Sequence, residues 1–257
     1  MSDWTTGHPR DDRRSDLATP GSALAIVAHP DDAEFQAGAT LAKWSRLGAV
    51  VHHLVLTDGS KGTWDPQADQ SALITRRQNE QRAAAVALGA TGECVFLGEI
   101  DGELGTDTTV RGRVAGVIRR LCPDVILGHD PWKRYRLHPD HHAAGRLCVD
   151  GIVAARDPFF HPEQLRAGLS PHRPQALLLF EADQVNHRES VEEQDLQARN
   201  VALEAHVSQM ETTHFYRVGE GDPLDAFRRR ERARLSDAGA LEGVPLAERY
   251  HLVIDQL

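Results

Sequence analysis

Leu24-Ala25-Ile26-Val27-Ala28-His29-Pro30-Asp31-Asp32 is the stretch that decides the fold. Its opening four residues are an apolar run of the length and type of a strand buried on both faces. The run passes at once into an imidazole, a proline and two carboxylates, where a parallel strand would hand over to a helix. Pro30 suits a first helical turn, since its missing N–H would be unpaired there anyway. Ligands of open α/β sheets sit in the crevice outside the carboxyl ends of the strands. Chemistry is therefore expected at this junction.

Outward from it, apolar runs at 24–28, 50–56, 93–97, 124–128 and 176–180 alternate with helical patterns at 32–47, 73–88, 110–121, 140–155 and 192–208. That alternation predicts βαβ units and an α/β fold, a three-layer Rossmann-like arrangement with a mostly parallel sheet flanked by helices. Leu41, Trp44 and Leu47 read as a core-facing stripe that Gly48 ends. Two long loops, 58–71 and 130–138, follow strands at the crevice edge, where loops carry function. Arg228-Arg229-Arg230-Glu231-Arg232 reads as the solvated face of a short helix. Residues 250–254 read as an added edge strand. No repeat or linker divides the chain, so residues 22–257 are expected to form one domain behind a loose polar tail at 1–21.

Composition narrows the classes. With 257 residues and 40% hydrophobic content the chain can build a sizeable core. The net charge of −9 argues against a nucleic-acid partner. No apolar stretch is long enough to span a bilayer, and the first residues lack the apolar segment of a secretory signal. Cys94, Cys122 and Cys148 are odd in number and fit no Cys-x-x-Cys pattern, as expected for free thiols in a reducing cytoplasm. Nothing in the sequence speaks against a homo-oligomer.

A second cluster, His138-Pro139-Asp140-His141, repeats the first arrangement. Pro139 opens a helix, and residues three apart share a helix face, so His138 and His141 can look into one crevice. His142 points elsewhere. Asp31 and Asp32 have a plainer reading as an acidic helix N-terminus favoured by the macrodipole. Consecutive aspartates diverge from one backbone, however, so one can face a metal while the other faces the substrate side. A catalytic zinc takes three protein ligands and keeps a position for water. A carboxylate beside that water serves as general base. His-Glu-x-x-His, Gly-x-Ser-x-Gly and Gly-x-Gly-x-x-Gly are absent from the sequence.

Together the two clusters resemble the PIG-L (LmbE-like) family of zinc-dependent N-deacetylases. Weaker signatures fall in the same order: Thr57-Asp58-Gly59, Arg77 to Glu80, Ala87-Leu88-Gly89, Leu97-Gly98 with Asp101, and Ala205-His206-Val207-Ser208-Gln209. The resemblance implies that His29, Asp32 and His141 hold the metal, zinc or ferrous iron, which N/O ligands do not separate sharply. It implies Asp31 as general base, His138 as the cationic partner of the oxyanion, and Asp140 as the residue orienting His138. Arg77 and Asp101 would hold sugar hydroxyls; as plainer readings, Arg77 pairs with Glu80 or Gln81 and Asp101 closes a turn. Arg136 stands where some sugar deacetylases of the family carry a Tyr, and Arg199 stands near the place of a usual Lys.

The function expected from these residues is removal of an N-acetyl group from an N-acetylglucosamine-like sugar or glycoconjugate. The alternatives are an amidase acting on a thiol-sugar conjugate or glycosylated natural product, and a non-catalytic sugar-binding module with a structural metal. Trp64 and Trp132, in the crevice loops, serve either for stacking on a sugar ring or for lid packing.

Overall fold

The computed structural model describes residues 16–215 and 221–257. Five strands follow one another in parallel: β1 (Ser22–Val27), β2 (Val50–Thr57), β3 (Cys94–Glu99), β4 (Val125–His129) and β5 (Ala176–Phe180). Between them run α1 (Asp32–Arg46), α2 (Gln70–Ala87), α3 (Thr108–Leu121), α4 (Pro139–Arg156) and the short α5 (Pro162–Arg166). The chain then adds β6 (His187–Ser190), α6 (Glu193–Glu204), α7 (Pro223–Glu242) and β7 (Ala247–Val253). The sheet order is β3-β2-β1-β4-β5-β7-β6. The order reverses between β1 and β4, and the crevice opens at that switch point.

Strand periodicity explains the three layers. Leu24 and Ile26 of β1 face a core shared with Val114 and Ile118 of α3 and Ala144 and Leu147 of α4. Ala23, Ala25 and Val27 face the opposite core, with Leu41 and Trp44 of α1, Ala84 of α2 and Ala202 of α6. Alternate residues of a strand point to opposite faces, so a strand covered on both sides is apolar throughout. Each large aliphatic side chain buried in this way contributes about 1.5–3 kcal/mol.

The differences from expectation have physical causes. β7 is not an edge strand: it lies antiparallel between β5 and β6. The edge is β6, whose alternating inward residues are the polar His187 and Glu189, so no hydrophobic pattern marks it. Leu47 does not join the core stripe; it is the C-cap of α1 and 53% exposed, ahead of Gly48 at φ 98°. α7 is a full 20-residue helix. Arg228, Arg229 and Arg232 face solvent on it, whereas Glu231 is buried. Most of the expected tail lies outside the described residues. Within 16–21, Asp16 Oδ1 accepts the Ser190 N–H (2.7 Å) and Leu17 N–H donates to Glu189 (2.9 Å), which ties this stretch to β6. The three cysteines are free thiols. No helix among the described residues is long and apolar enough to cross a membrane.

Candidate metal centre

Each parallel strand delivers a polar residue to the crevice at or just past its carboxyl end: His29 from β1, Asp58 from β2, Asp101 from β3, His129 from β4 and Glu181 from β5. The end of β1 is pinned by Thr57, whose N–H and hydroxyl both donate to the Ala28 carbonyl (2.9 and 2.8 Å). Asp31 then takes a left-handed conformation, φ 97° and ψ −24°, as the N-cap of α1. The two aspartates diverge in consequence. Asp32 turns toward the histidines and accepts the His29 backbone N–H (2.8 Å), whereas Asp31 Oδ2 lies 3.6 Å from Arg77.

Donor atoms of three residues from the two motifs meet, Asp32 offering one oxygen to each imidazole. His29 Nδ1 is 3.2 Å from His141 Nε2 and 3.4 Å from Asp32 Oδ2, and His141 Nε2 is 3.4 Å from Asp32 Oδ1. Tetrahedral zinc with bonds of about 2.0–2.1 Å separates neighbouring ligand atoms by about 3.3–3.4 Å. The pairwise spacings are of the size that the ligands of one dication keep. More broadly, three overlapping groups have donor atoms within 4.8 Å of one another: His29, His138 and His141; Asp32, His129 and His141; and His29, Asp101 and Asp140.

The far side of His29 is fixed by carboxylates. Its Nε2 lies 3.1 Å from Asp140 Oδ2 and 3.3 Å from Asp101 Oδ1. Asp140 is held in turn by the backbone N–H groups of Gly102 (2.6 Å) and Leu104 (3.2 Å). Burial alone would lower the pKa of His29, but Asp101, Asp140 and Asp32 outweigh it and raise it well above the ordinary value. Asp32 goes the other way: His129 and His29 overcome its burial and hold it well below the usual carboxylate range. Asp31 is pushed up to about 6 by burial, with Arg77 opposing.

Several expected roles change once these contacts are seen. Asp140 does not orient His138: its oxygens are spent on the Gly102 and Leu104 amides and on His29. His138 is exposed, edge-on to His29 (4.6 Å) and stacked on His141 (4.9 Å). Partial burial and the neighbouring His29 lower its pKa, against a standing positive charge. Arg77 is 3% exposed and spends its guanidinium on the carbonyls of Gly59 (2.9 Å) and Pro30 (2.8 Å). Asp101, 5% exposed, accepts the Lys61 N–H (3.1 Å) and faces His29. Both engage the protein's own backbone and imidazoles beside the centre. Trp64 and Trp132 are exposed at the rim.

His129 and Glu181 join the centre without a sequence motif to mark them. His129 Nε2 is 3.3 Å from Asp32 Oδ2, its Nδ1 is 3.5 Å from Glu181 Oε2, and its ring stacks on His141 at 4.3 Å. Asp32 and Glu181 overcome burial and raise its pKa. Arg136 closes the circuit, meeting both Glu181 and His141 Nδ1. Position on the sheet was the available signal, since His129 ends the strand beside β1 across the switch point.

The family model for GlcNAc-PI de-N-acetylase (PIG-L) matches residues 24–152. The chain belongs to the PIG-L family. Every residue of the His/Asp centre lies inside this PIG-L segment except Glu181, which belongs to the outer circuit. A diacetylchitobiose deacetylase from Thermococcus kodakarensis is 37% identical over 164 residues, covering 64% of this chain and 61% of that protein. This chain thus spans less than two thirds of that relative's length. A 4-oxalmesaconate hydratase from Pseudomonas putida is 28% identical over 180 residues, 65% of this chain and 68% of that protein. The solved N,N'-diacetylchitobiose deacetylase from Pyrococcus horikoshii superposes with a TM-score of 0.81 at 26% identity, covering 91% of this chain and 84% of that one. The whole sheet, with its antiparallel extension, is therefore shared architecture.

Proposed function

We propose that this protein is a zinc-dependent hydrolase that removes the acetyl group from an N-acetylglucosamine-type sugar or glycoconjugate. One observation carries the reading: donor atoms of His29, Asp32 and His141 lie 3.2–3.4 Å apart in pairs beside Asp31, a buried carboxylate that is not among them. A structural metal needs no such spare group. His29, Asp32 and His141 would hold the ion, with ferrous iron able to use the same donors. Bound there, the ion supplies Lewis acidity that acidifies water and polarises the acyl carbonyl.

The remaining steps belong to the chain's own side chains. An Asp31 carboxylate oxygen takes a proton from the attacking water and returns it to the amide nitrogen, so that the C–N bond breaks to give acetate and a free amine. Its pKa of about 6 is close to that of a base working near neutrality. His138, as a neutral N–H donor, faces the oxygen on which charge develops. Asp140 and Asp101 accept from His29 Nε2 and so keep the Nδ1 lone pair free for the ion. Trp64 and Trp132 offer stacking surfaces to a sugar ring. The free thiols fit a reducing compartment, and the cytoplasm is the location we propose.

The test is amine release from N-acetylglucosamine and diacetylchitobiose by zinc-loaded protein. Asp31→Ala is expected to keep about one metal per chain while turnover falls by about 10²–10⁴. An unchanged rate, or no amine from any N-acetylated sugar, contradicts the reading; the second outcome would direct attention to hydration chemistry of the kind named for the Pseudomonas relative.

A further inference from the structure

Asp31 holds φ 97° with a side chain attached, a conformation that residues other than glycine adopt only under constraint. The peptide that joins it to Pro30 is gripped at both polar atoms. Arg77 Nη2 donates to the Pro30 carbonyl at 2.8 Å, and the Asp31 N–H donates to Gln81 Oε1 at 3.0 Å. Arg77 and Gln81 are four residues apart on α2 and share a face. We propose that Gln81 is a positioning residue for Asp31, forming with Arg77 a two-point clamp that holds the Pro30–Asp31 peptide plane and so aims the Asp31 carboxylate.

Gln81 is itself locked. Its Nε2 donates to Glu34 Oε1 at 2.7 Å, which settles the orientation of the amide and leaves Oε1 for Asp31. Gln81 and Glu34 are fully buried, so water does not compete for either bond. Glu34 sits in the first turn of α1, with His53 Nε2 at 3.7 Å and His206 Nε2 at 3.5 Å. Arg77 is anchored as well: its Nη1 donates to the Gly59 carbonyl at 2.9 Å, and the guanidinium packs so close that a Cβ at Gly59 would stand 2.8 Å from it. The clamp thus links α2 to the strand-to-helix turn through buried atoms alone. Misplacing a reacting group by about 1 Å costs up to about 100-fold in rate.

The inference rests on Asp31 acting as the proton acceptor, and a mutant cycle separates the two. In zinc-loaded protein Gln81→Leu is expected to lower kcat by about 10–100-fold, with KM and metal content unchanged. Asp31→Asn lowers kcat further, and the double variant is no slower than Asp31→Asn alone, because Gln81 acts through Asp31. If Gln81→Leu slows the Asp31→Asn enzyme by the same factor as wild type, or leaves kcat untouched, the clamp is overturned while Asp31 stands. A wild-type rate in Asp31→Asn overturns the general base itself. In metal-free protein Gln81→Leu lowers the melting temperature less when combined with Asp31→Gly, since glycine takes positive φ unaided; equal losses count against the clamp. Should Gln81→Leu fail to fold, Glu34→Gln releases the amide orientation at constant shape. It is expected to lower kcat several-fold at constant KM, and an unchanged kcat overturns the proposal.

Discussion

Two buried charge clusters flank α1, and they are built on opposite plans. On the side of β5 and β7, Arg199 Nη2 meets Glu231 at 2.7 Å and its Nε lies 3.5 Å from Glu248, while Arg234 approaches Glu231 at 3.4 Å. Glu248 also accepts the Ala39 and Thr40 N–H groups at 3.1 and 2.8 Å. Arg230 Nε also lies 3.1 Å from Glu231, so each glutamate is answered by at least one arginine. Gly38 lets this cluster pass, since a Cβ there would stand 2.8 Å from Arg199 Cγ. At the crevice, by contrast, Asp31, Asp32, Asp101 and Asp140 are all buried and face one guanidinium, Arg77, and a set of imidazoles. Buried charge is tolerated only when paired. A matched cluster is complete as it stands, whereas a carboxylate excess ringed by histidine nitrogens calls for a cation.

The sharpest way to break that contrast is to unpair the matched cluster. Glu231→Ala takes from buried Arg199 its nearer carboxylate and leaves it Glu248 at 3.5 Å; loss of one partner of a buried pair costs about 3–5 kcal/mol. Denaturant unfolding should show that loss, while the folded fraction keeps its wild-type metal content. A change below about 1 kcal/mol would place the pair among weak surface bridges and dissolve the comparison.

A smaller effect, of opposite sign in the two regions, comes from pH. In metal-free protein, burial raises Asp31 from 3.8 to about 6. The folded chain therefore keeps a proton there that the unfolded chain has released. Its stabilising contribution is full below about pH 4 and is lost as the pH rises through about 6. Burial would also raise Glu231, but Arg199 and Arg234 hold it below its ordinary value. Its contribution is present above the unfolded pKa of about 4.3 and is lost as the pH falls through the lowered folded one. Unfolding midpoints taken from pH 3 to 7 should lose the first slope in Asp31→Asn and the second in Glu231→Gln, with pH span chosen to bracket ordinary carboxylates at about 4. Superimposable profiles for all three proteins contradict the assignment.

The sequence displays the candidate ligands but not their supports. His29, Asp31, Asp32, His138 and His141 sit in two short motifs, so local reading places them; Pro139 opens α4 as expected, whereas Pro30 lies ahead of α1, because Asp31 is its N-cap in a left-handed conformation. Asp140 lies in the same motif, yet its partners are not legible there, because they include the amides of Gly102 and Leu104, 38 and 36 residues away. His129 and Glu181 are single polar residues at strand ends, and only the strand order brings them to β1. Arg77 has the chemistry of a sugar-binding residue and the burial of a structural one, a distinction that residue type does not carry. β6 was invisible for a related reason: its inward residues, His187 and Glu189, meet each other at 2.8 Å in place of an apolar neighbour.

The central claim is that side chains from two distant segments share one ion. Its most direct test is elemental metal analysis of the purified wild type beside His29→Ala, Asp32→Ala and His141→Ala, each checked for native unfolding behaviour. The account predicts about one zinc or iron per chain in the wild type and close to none in each folded variant, as three-ligand catalytic sites require. A folded variant that retains a full complement of metal would contradict it.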